Sequence, residues 1–151
     1  MTSPHSKLHI SRSLNRFQTQ ITIFLPRVAV SKMTVVHIVL IKFRPGVAQE
    51  HKDTVIQELN KMKEMDCVKH HRLVVGTSIT VPVERSKGFE IALVSFHENA
   101  IELDKYRNSE EHLRITTTHI YPHQEESIRF DFEVAPEEEH LWTFLPIPAE
   151  N

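Results

Sequence analysis

An α+β fold, with one four-stranded antiparallel sheet carrying helices on a single face, is the fold class this chain predicts. Three observations support it. Val35 to Phe43 is a nearly unbroken β-branched run of strand length. Residues 47 to 65 space Val55, Ile56, Leu59 and Met62 at helical intervals with Lys and Glu between them. The order strand, helix, strand, strand, helix, strand then fits the remaining chain.

Each element follows in turn. The first strand is apolar on both sides, so both of its faces are expected to be covered, and Arg44-Pro45-Gly46 ends it. The amphipathic helix over 47 to 65 lies on one face of the sheet. His70 to Val75 reads as the second strand, ended by Gly76, and Gly88 to Phe96 as the third, with the polar, proline-bearing stretch 77 to 87 as a loop. Ala100 to Tyr106 is a short helix, Ser109 to about His119 a second, and Ser127 to Val134 the final strand. The sum is a ferredoxin-like half-barrel (βαββαβ). Its helix-free face is expected to carry Val39, Ile41, Ile91 or Ala92, Leu93 and Phe130, too apolar to leave in water, so a homodimer formed by sheet-on-sheet packing is expected.

Composition bounds the function. The 151 residues, 40% hydrophobic, make one domain. Net charge is −2, yet the first 32 residues hold five basic residues and no acid, which leaves −7 on residues 33 to 151. That core offers no basic face to nucleic acid. In the leading segment Ile10, Leu14, Phe17, Ile21 and Phe24 fall on one helical face with Arg12 and Arg16 opposite, the pattern of a mitochondrial transit peptide. The other readings are a disordered arm, or an extension upstream of a working start at Met33. The chain is therefore expected in the cytoplasm, or in the mitochondrion if residues 1–32 act as a transit peptide. No run approaches the roughly 20 apolar residues of a membrane span. The single cysteine, Cys67, reads as a buried inert thiol.

The chemistry-bearing motif is Tyr106-Arg107-Asn108-Ser109-Glu110-Glu111-His112. On one continuous helix six steps rotate through about 240°, so Tyr106 and His112 would diverge. Asn108-Ser109 is expected to break the helix, with Ser109 as the N-cap of a new one and Glu110 and Glu111 in its first turn. His112 then stands at N3, where the helix dipole disfavours the imidazolium. A phenol and a neutral imidazole at one pocket mouth are suited to acid/base chemistry. Alternatively, Tyr106 packs in the core and His112 only helps cap the helix.

His37-Ile38-Val39-Leu40-Ile41-Lys42-Phe43-Arg44-Pro45-Gly46-Val47, Gly88 to Phe96, the Tyr-(five residues)-His element and Phe130-Asp131-Phe132 together resemble the stress-responsive dimeric A/B barrel family over roughly residues 34 to 134. The resemblance implies a homodimer whose two sheets close one barrel, with a cavity between each sheet and its helices. Among enzymes of this type are plant polyketide cyclases such as olivetolic acid cyclase. Their pattern implies catalytic Tyr106, His112 and Asp131, Asp131 supporting the His112 imidazole, and a pocket wall bearing His37, Val39, Ile41 and Glu90. It requires no cofactor. Two positions depart from the cyclases: Glu90 replaces a second pocket histidine, and Ser109 replaces a histidine midway between Tyr106 and His112. A small apolar or keto-acid ligand fits this reading. Relatives known chiefly as heat-stable stress proteins leave a non-enzymatic, ligand-binding dimer open.

The remaining histidines carry less. His70-His71 and the set His119, His123 and His140 lack tetrahedral ligand spacing, so no metal is expected. Gly46, Gly76 and Gly88 are too far apart for a phosphate-cradling loop. The tail 135 to 151, acidic then apolar, is expected to fold back on the domain or its partner, with Trp142 or Phe144 shaping a ligand if it reaches the pocket.

Overall fold

The computed structural model describes residues 33–142. β1 (Val35–Phe43) is followed by α1 (Gln49–Lys61), β2 (Leu73–Thr77), β3 (Ile91–His97), α2 (Ala100–Asn108), α3 (Glu110–Ile115) and β4 (Gln124–Glu133). The strands form one antiparallel sheet in the order β2-β3-β1-β4, the ferredoxin-like arrangement. A π-helical turn over Thr116–Ile120 extends α3, and Pro136–Trp142 is a 3₁₀ segment.

Side chains alternate across the sheet with period two. On β1, residues 35, 37, 39, 41 and 43 face the helices, and Val35, Ile41 and Phe43 join Val55, Leu59 and Met62 of the first helical layer in the main core, with Ile91, Leu93, Leu103, Tyr106 and Ile115. Val39, Ile41, Ile91 and Leu93, expected on the helix-free face, therefore lie in or against the helix-side core, because these odd-numbered positions share one side of the pleat. The opposite face holds Val36, Ile38, Val94, Phe96, Phe132 and Val134 as a smaller cluster. Phe130, 62% exposed, and Ile128, 42% exposed, remain in water on β4 of the chain by itself.

Element boundaries differ from expectation where backbone geometry intervenes. His70 and His71 both adopt left-handed φ (51° and 54°), which makes them a turn before β2 and not its first residues. β2 then runs through Gly76 to Thr77. β3 extends one residue beyond Phe96, to His97.

The described part of the tail, to residue 142, is tied to its own domain through Glu139. Glu139 accepts a hydrogen bond from Thr34 Oγ1 at 2.9 Å and pairs with Lys69, whose buried ammonium also donates to Thr34 Oγ1 at 2.6 Å. The expectations for residues 1–32, for the Trp142 side chain and for Phe144 concern parts of the chain outside those described.

Candidate active site

Strand register brings the polar groups into one row. His37 of β1 pairs with Ser95 of β3 on one side and with Asp131 of β4 on the other, so the three side chains project from neighbouring strands toward the helices. His97, two residues beyond Ser95, faces the same way and is fully buried.

The helices close over this row at the predicted break. α2 ends at Asn108, and Ser109 caps α3, its hydroxyl accepting from the His112 N–H at 3.1 Å and donating to the Tyr106 carbonyl at 2.7 Å. One serine thus ties the backbones of both residues across the kink. Their rings meet edge to face with centroids 5.1 Å apart. Tyr106 also stands 4.9 Å from the His97 ring and 5.8 Å from His37.

A cavity of about 380 Å³ opens beside this cluster. His37, Val39 and Ile41 of β1 form its wall. Arg107 and Asn108 from the end of α2, His112 and Leu113 of α3, and Gln124, Ser127 and Arg129 of β4 complete it, with Ile120 and Tyr121 from the turn between. Tyr106 is 1% exposed behind them.

Three buried polar atoms here have no hydrogen-bond partner: the Tyr106 hydroxyl, His112 Nδ1 and Gln124 Oε1. They are the unpartnered buried side-chain atoms among the described residues. Each such orphan costs about 1–3 kcal/mol. Two of them belong to residues that line the cavity, His112 and Gln124, and the third to Tyr106 directly behind His112, a grouping that a core built only for stability would avoid.

Protonation states follow from burial. Loss of water lowers the His112 pKa to about 4, the charges of His37 and Arg107 adding to the effect while the Arg107 backbone carbonyl opposes it. The ring is neutral at pH 7, so one of its nitrogens keeps a lone pair. Desolvation is the largest cause. Burial pushes the Tyr106 phenol well above its ordinary pKa, so it remains a donor; Ser95 opposes this, although no bond of normal length joins the two hydroxyls.

Asp131 serves a different imidazole from the one expected. Its Oδ1 accepts from His37 Nδ1 at 2.6 Å, while its Oδ2 contacts Arg107 at 3.4 Å and Arg129 at 3.5 Å. The reason is register: Asp131 lies directly across from His37, and His112 sits on the helical layer above. Burial still lowers the His37 pKa, with Asp131 opposing. Glu90 also stands elsewhere. It precedes β3, five residues or about 17 Å of strand from Ser95, and pairs with Lys52 of α1. There it lines a separate cleft of about 550 Å³ between the 77–89 loop, Leu40, Ala92 and Ile128. None of the acid/base groups lines that cleft.

His97 and Ser95 were not foreseen. His97 Nδ1 donates to the Cys67 carbonyl at 2.7 Å, which makes its Nε2 the acceptor of the Ser95 hydroxyl at 3.0 Å. Burial lowers its pKa to about 4. The signal available in sequence was the alternation Leu93, Ser95, His97, once β3 is allowed one more residue. Among the described residues, no group of three or more His, Cys, Asp or Glu is placed to hold a metal, and no helix is long and apolar enough to cross a membrane.

A family model for the stress responsive A/B barrel domain matches residues 35–134. The chain belongs to this family. Comparison with curated protein sequences gives no match. Among solved structures, the A/B barrel domain is similar to the hydroxynitrile lyase from Passiflora edulis, at 20% identity over 70% of this chain and 97% of that one, with a TM-score of 0.60. A dimeric ferredoxin-like protein of unknown function from Thermobifida fusca matches at 17% identity over 71% and 96%, also with a TM-score of 0.60. A Dabb-family protein with a ferredoxin-like fold from Mesorhizobium loti matches at 10% identity over 68% and 98%, with a TM-score of 0.57. At these identities the likeness establishes the fold of the A/B barrel domain and not its chemistry.

Proposed function

We propose that this A/B barrel domain works as a homodimer and catalyses cofactor-independent acid/base chemistry on a small carbonyl compound, as a cyclase or lyase. One observation carries the reading: the Tyr106 hydroxyl and His112 Nδ1 are buried and unpartnered on two rings that meet edge to face, His112 lining a cavity and Tyr106 standing behind it. A carbonyl oxygen accepting from Tyr106 would satisfy the phenol, and His112 Nδ1 would take a proton from the adjacent carbon. The enolate so formed attacks a second carbonyl in ring closure, and the imidazolium returns the proton to the new alkoxide. In the lyase direction a base takes the hydroxyl proton, the carbon–carbon bond breaks, and the imidazolium protonates the departing carbanion. The resemblance to polyketide cyclases and the hydroxynitrile lyase of similar fold both favour such carbon–carbon chemistry. His37, held by Asp131, supplies a second oriented imidazole on the cavity wall.

The test is α-proton exchange of small ketones in deuterated buffer, followed by NMR. Wild-type protein accelerates exchange, and His112→Ala and Tyr106→Phe each abolish most of the acceleration. No acceleration by the wild type across a panel of ketones rejects the catalytic role.

A second reading is favoured by the low His112 pKa, since a base is most effective when its pKa lies near the working pH. In that reading the same atoms only bind a carbonyl ligand, and the protein is a ligand-binding stress-response dimer. Ligand binding without exchange supports it.

Dimerisation would cover Phe130 and Ile128, and the Thermobifida fusca protein of this fold is itself dimeric. Phe130→Glu inserts a charge at the centre of such an interface and is expected to yield monomers by sedimentation velocity. A variant that sediments as the wild type would remove sheet-on-sheet packing from the account.

A further inference from the structure

We infer that the cavity recognises an anionic substrate, a carbonyl compound bearing a carboxylate, and that Arg129 with Arg107 reads that carboxylate. The inference rests on the cavity being the ligand site of the preceding section and specifies what enters it.

The cavity wall holds two guanidinium groups, Arg107 and Arg129, and no carboxylate. Asp131 stands just behind them, yet it is shared: its Oδ1 is occupied by His37 at 2.6 Å, and its Oδ2 is left to both arginines at 3.4 and 3.5 Å. Those are long contacts for charge-assisted bonds, which settle at about 2.7–2.9 Å when geometry allows. Asp104, which also pairs with Arg107, is exposed on the outer side of α2. Arg129 has no other ion pair among the described residues than its 3.5 Å contact. With Arg107 held by Asp104 and sharing Asp131, Arg129 keeps only a long contact to that divided carboxylate, which leaves it capacity for a second one, and a guanidinium fork suits that shape.

The rest of the cavity divides accordingly. Val39, Ile41 and Ile120 offer an apolar stretch, and His112 and Gln124, with Tyr106 behind them, carry the unpartnered polar atoms. A ligand with a carboxylate at the arginines, a hydrocarbon middle and a carbonyl at Tyr106 satisfies all three regions. The arginines also act on the base, for both depress the His112 pKa, and an anion seated on them would relieve that depression.

Calorimetric titration with linear methyl-keto acids and their methyl esters tests this. The full-length protein is expected to bind the best acid about tenfold more tightly than its ester, the scale of one charge-assisted bond. Added salt should shrink that ratio, and Arg129→Gln should bring it close to one. Arg129 is exposed enough for the substitution to leave the fold intact. Equal binding of acid and ester, or binding of neither, overturns the inference. An acid preference in a protein that never exchanges α-protons upholds the inference and rejects catalysis. Exchange that depends on His112 but shows no acid preference does the reverse.

Discussion

His112→Ala is expected to lower the exchange rate by about two to four orders of magnitude, the span a positioned general base contributes. The dimer should persist. The imidazole is half-buried, and its Nδ1 makes no bond, so removing it leaves a small void but also removes an unsatisfied atom. Tyr106→Phe sharpens the contrast. The change conserves volume in a site 1% exposed and deletes a hydroxyl that lacks a partner. Its melting temperature should be equal to or above that of the wild type while exchange falls. Gain of stability with loss of function separates a site under functional strain from a core residue. A Tyr106→Phe protein that is less stable would mean the hydroxyl is bonded, and a His112→Ala protein that is inactive and dissociated would assign His112 a structural role. In the wild type, exchange should hold from neutral pH down to about 4 and fail below it, because protonation at Nδ1 removes the base.

Acid should destabilise this protein earlier than its carboxylates alone would. His97 and His112 have folded pKa values of about 4 against an ordinary 6.5, and that of His37 is also lowered, burial being the first cause in each. Between those limits the unfolded chain binds protons that the folded chain refuses, so stability is full above about pH 6.5 and falls as pH drops toward 4. For His97, with no exposure, the shift corresponds to a loss on the order of 3 kcal/mol. The half-buried His112 contributes less, since water screens part of it. Urea unfolding at a series of pH values checks this. A midpoint that stays flat from neutral pH to about 5 would mean these rings accept protons in place.

The elements that were legible in sequence are those fixed locally. The β-branched run defines β1, and Ser109 with two following glutamates marks the helix break that lets Tyr106 meet His112. What depends on pairing between distant strands was not legible. Asp131 was matched to His112 by resemblance, whereas its partner follows from the β1–β4 register, which places it opposite His37. Glu90 is expected on the pocket wall, but a position before β3 lies five residues from Ser95 and the cluster. His97 escaped because the third strand was ended one residue early, and Arg107 and Arg129 because a charge on a solvent-facing position has no pattern of its own. The misplacement of Val39, Ile41, Ile91 and Leu93 has the same origin, since a strand apolar on both sides does not declare which side the helices cover.

Catalysis and binding alike require a neutral His112 imidazole, unpartnered at Nδ1, against a protonated Tyr106 beside the cavity proposed to take the ligand. An NMR pH titration of the ¹⁵N-labelled histidine rings, assigned with His112→Ala and repeated with a saturating methyl-keto acid, tests it most directly. The expected result is a His112 pKa near 4 in the free protein, a lone-pair signal at Nδ1, and a rise in that pKa when the acid binds. A His112 ring that titrates at an ordinary 6.5 and does not respond to the acid would contradict it.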